Sequence, residues 1–499
     1  MARPYLFFGT KARAPQTYST QYLKEQCIFP VSTPTTPLGK ICLAGAVGVH
    51  TPYTIGYTCL ALNYKNGAGE RNMSRDILDI YAQQGAIQTI ILANFGADYT
   101  AGDILLVNAF DDDGTGLSTL QIQINTVNAN GSILTWTQLN SPTGYPPAQI
   151  CSTTGGTGSG AQFQVITDLM QHSKGWWFDS YNPYMNPPGY TFNRITVDPI
   201  GRSGDLRVDS DASLLVWAMA DYDDLTGGSR YLTPVRKAIA WLRSLQAAHF
   251  GAHGSNLISN LVYQNSIDTT ALIADSAETL LCLTRAMDAY GVGLLDSNGY
   301  SVQIMANDLY TSLTTAQPAG AWGGADYSLY LTSFPPGQND APPFSFNYVE
   351  PITYTQSLTA WANYTFANSP YITVTDNSYQ AELALDYTWS RMAGQFGGQL
   401  YTPFDPNNLT QTDTIEHLAY TAEMCIAMAA VNPTKYANHI NALKAAMKKN
   451  ARSTGMAWGQ THDDGSLWRA LISGVNVTPK VEAYGFVVLD VSFALLAGV

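Results

Sequence analysis

Charge is what this sequence has least of. Only 13% of its 499 residues are Asp, Glu, Lys or Arg, about half of the ~25% usual in globular domains. That sets aside the densely charged surface of an ordinary cytosolic enzyme. A disordered chain is also excluded, since it would need high charge and few aromatics, and aromatics here reach 11%. Basic residues are scarcer than acidic ones, 25 against 38, for a formal net charge of −13. The balance argues against a nucleic-acid binder and against docking on anionic lipid. Cysteine is sparse: Cys27, Cys42, Cys59, Cys151, Cys282 and Cys425 are scattered without a CxxC pair. Buried free thiols are expected, although Cys27, Cys42 and Cys59 lie close enough for one disulfide. No run of about 20 apolar residues exists, so membrane insertion is not expected. The start, Met1 to Gly9, lacks the apolar core of a signal peptide.

Gly (42), Pro (25) and Tyr (30) are plentiful. The surface must therefore draw its polarity mainly from Ser, Thr, Asn, Gln and Tyr, a style suited to sugar ligands and to closely packed assemblies. Residues 1–50 read as an extended arm with a short helix near Gln16–Gln26. Thr51–Tyr64 and Asn72–Gly85 read as helices, the second with Ser74 ahead of an Ile77, Leu78, Tyr81 stripe. The texture changes over 86–166, where period-two alternation is cut by Gly and Asn, as in Ile104–Val107 and Leu120–Ile124. Asn128–Gly131 is a hairpin turn signal. This stretch predicts an antiparallel β domain inserted into a helical host. Helical periodicity then returns over 167–499, near 209–225, 229–247, 268–290, 300–314, 377–394, 413–430, 434–450 and 481–497.

The helices repeat weakly. An acid leads one helix of each pair: Asp209 with Asp211, then Asp268, Glu350, Asp413 with Glu416, and Glu482, separated by 59 to 82 residues. Each interval holds two helices and two loops. The acid-led helices read as an inner ring, with Thr51–Tyr64 as its sixth member. This layout resembles the (α/α)6 toroid of the six-hairpin glycosidase superfamily, and implies a mainly α fold with an inserted β module. No family-level catalytic signature accompanies it. The insert carries a second resemblance. Leu139–Ala148 followed by Thr153–Val165, with its Gly155–Gly160 run, is similar to Gly-rich β modules of tailed-phage virion proteins. That likeness implies a tail or fibre-associated particle component, contacting other virion proteins through 1–50 and 86–166 and assembling as a homo-oligomer.

In such a toroid the inner helix starts surround one mouth. Asp209, Asp268, Glu350, Asp413, Glu416 and Glu482 are thus the catalytic candidates. Glycoside hydrolysis needs one carboxylic acid and one carboxylate, about 5–5.5 Å apart for retention and about 6.5–9.5 Å for inversion. The competing reading is helix capping, because acids at helix starts satisfy free N–H groups and complement the dipole. Asp413 and Glu416 in particular have capping-box spacing. Loop aromatics are the candidate sugar platforms: Trp176, Trp177, Trp322, Tyr327, Trp458 and Trp468. Their alternative is anchorage in the core. His249 and His253 stand four apart near a helix end that Gly251 is expected to break, and no HExxH motif supports zinc. Asp111–Asp113 reads as a turn without the spaced ligands of a calcium loop. No metal and no cofactor are expected. Three functions remain open: a virion protein recognising cell-surface polysaccharide, an active polysaccharide hydrolase or lyase, and a purely structural particle component.

Overall fold

The helices of the described residues run as five consecutive hairpins. The chain's computed structural model describes residues 52–82, 87–110, 116–142, 149–167, 206–315 apart from 260, 264 and 265, 352–392 and 418–449, with short stretches at 28–32, 37–42, 171, 175–177, 180–182, 189–191, 333–334, 415–416, 470–471 and 496–498. The first helix of each hairpin is α1 (Pro52–Lys65), α3 (Asp209–Thr226), α5 (Ile273–Tyr290), α7 (Ile352–Ala367) or α9 (Leu418–Val431). The second is α2 (Ala68–Tyr81), α4 (Leu232–His253), α6 (Val302–Thr315), α8 (Tyr379–Met392) or α10 (Ala437–Lys449). Each first helix packs on its own partner and on the next first helix along the chain, so the odd-numbered helices form an inner row. The expected C-terminal inner helix, 481–497, and the arm helix near 16–26 fall almost wholly outside the described residues.

Composition separates the two rows. Every residue of α3 from Asp209 to Ala220, and of α5 from Ile273 to Thr284, is buried. A helix enclosed on all sides belongs to an interior, whereas an outer helix buries one stripe. α2 shows the second case, with Met73, Ile77, Leu78 and Tyr81 turned inward. Close approach within the row depends on Gly56, where an added Cβ would stand 2.6 Å from Leu214 Cβ. Trp217 of α3 and Trp361 of α7 meet with ring centroids 5.5 Å apart and are both buried. They fill the middle of the inner row.

The β unit falls where the alternation predicts it. It comprises β3 (Ile87–Ala97), β4 (Ile104–Phe110), β5 (Gly116–Val127), β6 (Ile133–Gln138), β7 (Gln149–Thr154) and β8 (Ser159–Thr167). They form one antiparallel sheet in the order β3-β8-β7-β4-β5-β6. Leu105, Val107, Leu120, Ile122, Phe163 and Val165 make an apolar cluster separate from that of the helices. Ile87 pairs with Thr167, so the unit leaves and rejoins the helical chain at one place. The Asn128–Gly131 turn joins β5 to β6, with Gly131 at φ 70° and Asn128 Oδ1 accepting the Asn130 and Ser132 N–H groups at 2.9 Å. Asp103 ties the Gly-rich turn to the sheet by accepting Thr157 N–H at 2.9 Å and its hydroxyl at 2.7 Å. Hydrogen bonds from Thr100 and Thr157 lower the Asp103 carboxyl to about 2. Asp111–Asp113 lie outside the described residues. After the β unit, β9 (Ser180–Asn182) pairs antiparallel with β10 (Gly189–Thr191).

Three differences from the sequence reading stand out. Within the supposed arm, β1 (Ile28–Ser32) and β2 (Pro37–Cys42) form a hairpin. Gly251 does not break α4, which runs on to His253 and ends at Gly254 with φ 73°, its N–H bonded to the Phe250 carbonyl at 2.8 Å. A left-handed terminal residue is what glycine permits without strain. Finally, α5 and α9 start later than expected, at Ile273 and Leu418, because short strands precede them. Cys59, Cys151, Cys282 and Cys425 are buried. No helix of the described residues is long and apolar enough to cross a membrane.

Candidate functional site

Short strands align the starts of the inner helices. β11 (Leu206–Val208), β12 (Leu261–Tyr263) and β13 (Ser266–Asp268) form a small sheet in that order, with Val208 opposite Leu261 and Leu261 opposite Asp268. Asp209 follows β11 directly, so the sheet sets the start of α3 beside the chain that leads into α5. β14 (Ala271–Leu272) pairs with β15 (Ser333–Phe334), and β16 (Ile415–Glu416) with β17 (Ala470–Leu471), ahead of α5 and α9. At this end the inner helices gather Tyr53 and Tyr57 from α1, Asp209 and Asp211 from α3, Asp275 and Glu278 from α5, and Glu423 from α9.

The cluster is deep. Asp209 and Glu278 are 0% exposed and Glu423 and Tyr57 1%, while Asp211 and Asp275 reach 5% and 7%. Tyr53 is half-buried and marks the rim. Glu278 Oε1 accepts the Tyr57 hydroxyl at 2.7 Å and the Tyr53 hydroxyl at 3.3 Å. Two O–H donors converging on one oxygen suit an ionised carboxylate. Burial first, then the Glu278 charge, lifts the Tyr57 phenol well above its usual range. Asp209 is the contrary case. Neither of its oxygens makes a full hydrogen bond, and the groups that act on it at hydrogen-bonding range are the adjacent Ser210 N–H and the Asp275 carboxyl. Burial first, then the Asp275 charge, pushes its carboxyl well above the usual range, with Glu278 adding to the effect. Two carboxyls side by side in a dry site are stable only when one keeps its proton. Asp209 is therefore the carboxyl of this pair that keeps its proton.

The sequence candidates divide on this geometry. Asp209 belongs to the cluster. Asp211 reaches across and accepts the Tyr53 backbone N–H at 2.9 Å, capping the first turn of α1 from a neighbouring helix. Asp268 does not lead a helix: it ends β13, and its Oδ1 accepts the Thr270 N–H at 2.9 Å in a tight turn. Glu416 is not a capping-box residue of α9 either, since it sits in β16 opposite Ala470, ahead of the helix. Trp176 and Trp177 are corrected from sugar platforms to core anchors. They are 2% and 4% exposed, and Trp177 Nε1 donates to the Tyr81 carbonyl at 2.8 Å. Beside them Gln171 Nε2 donates to the carbonyls of Gly175 and Pro234, both at 2.8 Å, tying this returning segment to α4. Glu350, Asp413, Glu482, Trp322, Tyr327, Trp458 and Trp468 lie outside the described residues.

Asp275, Glu278, Glu423 and the two tyrosines escaped the sequence reading. A signal was present: Asp275 and Glu278 are three apart, a spacing that puts both on one helix face. Their position inside an apolar run made them look incidental. Among the described residues no group of three or more His, Cys, Asp or Glu is placed to hold a metal ion.

No known protein family matches the chain, and no curated protein matches it. Solved structures do. A D-mannose isomerase superposes with a TM-score of 0.51 at 10% identity, covering 100% of both chains. At that identity the likeness is one of fold, and it makes this a mainly α protein on the same framework. A cellobiose 2-epimerase from Bacillus thermoamylovorans B4167 follows at TM-score 0.43 and 12% identity, over 62% of this chain and 72% of that one. A family 76 glycoside hydrolase (mannosidase) from Bacteroides thetaiotaomicron gives 0.37 and 12%, over 59% and 71%. Those two likenesses are too low to argue from.

Proposed function

We propose that the acid-lined end of the inner helices binds a carbohydrate and performs acid–base chemistry on it, with Asp209 as proton donor and Glu278 as its charged counterpart. One observation carries the reading: two carboxyls of a single buried cluster sit in opposite protonation environments. Asp209 makes no full hydrogen bond and lies beside Asp275, while one oxygen of Glu278 receives two phenol hydroxyls. Environments that separate the proton affinities of neighbouring acids mark acid and base roles. The sugar class rests on analogy, since a protein of the same fold is a D-mannose isomerase and fold alone does not fix function. Proton transfer beside a carbonyl and cleavage of a glycosidic bond both use such a pair. The test is to screen neutral mono- and oligosaccharides for isomer interconversion and reducing-sugar release, with Asp209→Asn and Glu278→Gln beside the unaltered chain. Each variant should lose roughly 10²-fold or more of the rate and still melt cooperatively. Binding and turnover absent from the unaltered chain, or retained in full by both variants, would sink the reading.

A second reading supplies a setting. In it the chain is a tailed-phage virion component, homo-oligomeric in the particle and turned toward cell-surface polysaccharide. The hairpin β1–β2 and the β unit then make the contacts to other virion proteins. What favours it is the Gly-rich β module, with its own apolar cluster and its ends joined at Ile87 and Thr167. A unit so attached can be cut out. Replacing 87–167 with a short linker should leave the helices melting as one unit and abolish incorporation into particles. Loss of cooperative melting would show that the sheet belongs to the main core; normal incorporation would remove its assembly role.

A further inference from the structure

Outer helix α4 ends in two histidines that reach the chain leading into α5. His249 is fully buried. Its Nδ1 lies 2.6 Å from the Thr269 carbonyl oxygen and its Nε2 2.8 Å from Ser255 Oγ. A carbonyl only accepts, so Nδ1 carries the proton, and Nε2 of the neutral ring accepts from the serine hydroxyl. His253 closes in from the side, its Nε2 3.1 Å from Thr269 Oγ1 and its ring centroid 4.9 Å from that of His249. The gripped Thr269 is braced on both flanks. Asp268 Oδ1 accepts the Thr270 N–H at 2.9 Å, and Ala271–Leu272 pair with Ser333–Phe334. α5 begins at once, and its first two turns bear Asp275 and Glu278.

Serine, imidazole and a carbonyl oxygen in a row also have the connectivity of a nucleophile, its base and an orienting group. The surroundings refuse that role. The nearby amides are spent, Asn256 N–H on Ser312 Oγ at 2.8 Å and Gly254 N–H on the Phe250 carbonyl at 2.8 Å, leaving neither to stabilise an oxyanion. Burial also holds the imidazole down at about 4, far below the pH at which a general base would work.

We propose that His249 is a positioning residue of the acid cluster: by gripping the Thr269 carbonyl it fixes where α5 begins, and so where Asp275 and Glu278 stand. This rests on the acid cluster being the site, but its test needs no substrate, so its outcome is separate from whether a sugar binds. Asn and Gln at this position are positional isosteres. The Asn amide nitrogen falls where Nδ1 was and can donate to Thr269; the Gln amide falls where Nε2 was and cannot. Amide hydrogen exchange of the full chain, read by mass spectrometry, should show His249→Gln accelerating 271–279 about tenfold, the size of one lost hydrogen bond. His249→Asn should stay within about threefold of the unaltered chain. Segment 284–290, at the far end of α5, should not change in either. Ser255→Ala, which leaves the Thr269 grip alone, should also stay within about threefold. Equal behaviour of the Asn and Gln variants, acceleration along the whole helix, or a Ser255→Ala effect as large as that of Gln overturns the proposal.

Discussion

At the C-terminal ends of α3 and α5, Arg285 lies 2.7 Å from Asp221, 3.2 Å from Asp224 and 3.2 Å from Asp288. Asp223 accepts the Tyr290 hydroxyl at 2.7 Å and the Tyr231 N–H at 2.8 Å. At the N-terminal ends of the same two helices, Asp209 makes no full hydrogen bond and has a carboxyl for a neighbour. The helix dipole makes the contrast sharper. It disfavours acids at C-termini, where cations are wanted, and favours them at N-termini. Asp221, Asp224 and Asp288 thus sit where the dipole opposes them because Arg285 answers their charge, whereas burial pushes Asp223, which Arg285 does not reach, above the usual carboxylate range. Asp209 stays protonated where the dipole would help it ionise. An acid's place along a helix therefore says little about its role; whether its charge is answered says more. One end of the row is fastened, and the other holds a proton in store.

The largest stability difference should come from reversing these two arrangements. Burial pulls the Arg285 guanidinium down, but the Asp221, Asp224 and Asp288 charges outweigh it and hold it above its ordinary value. Arg285→Met leaves those carboxylates without their cation. Breaking a fully buried ion pair from one side costs about 3–5 kcal/mol; with Arg285 13% and Asp221 15% exposed the loss should be somewhat smaller, and the urea midpoint should fall accordingly. Asp209→Asn replaces a carboxyl already held neutral with a neutral amide of the same shape, and should not lower the midpoint. If Arg285→Met proves the milder of the two, the contrast between the ends is wrong.

Much of this framework is legible in the sequence, for a reason that also explains what is not. Alternation over 86–166 and the helical period from 209 onward follow from burial, which each residue feels through its near neighbours in the chain. The inner row is readable because α9, and α3 from Ala212 to Ala220, are apolar or small almost throughout. The acid cluster depends instead on which helices meet. Glu278 is one residue in an apolar run until Tyr53 and Tyr57, more than 200 positions away, deliver their hydroxyls to it. Asp268 misled for a local reason: an Asp before two threonines can open a helix or brace a turn, and here the strand pairing of β13 selects the turn. Trp176 and Trp177 misled because a Gly-rich connection looks exposed, yet Gly175, at φ 111°, lets the chain press against the Lys237 carbonyl and drives both rings inward.

A subtler test concerns pH, where the two ends of α4 and α3 that face the cluster should pull in opposite directions. Asp209 keeps its proton in the fold, whereas the unfolded chain releases it above about 3.8. The folded state then binds more protons than the unfolded one, so this contribution to stability is whole below that pH and is lost as pH rises. His249 works the other way. Burial lowers it from 6.5 to about 4 in the fold, so between those values the unfolded chain binds the extra proton. Its contribution is whole above pH 6.5 and lost as pH falls to about 4. His253 is the charged neighbour that adds to this lowering, and Asp268, beside the gripped Thr269, is occupied with the Thr270 N–H. Each slope is at most one proton, roughly 1.4 kcal/mol per pH unit. Between pH 4 and 6.5 the two offset each other in the unaltered chain, and single variants should separate them. Urea midpoints of Asp209→Asn should climb more steeply with pH than those of the unaltered chain, because the falling contribution is gone. Those of His249→Asn should climb less steeply or decline. If the Asp209→Asn curve runs parallel to that of the unaltered chain, Asp209 holds no proton in the fold, and the acid role assigned to it fails even if the helices are arranged as described.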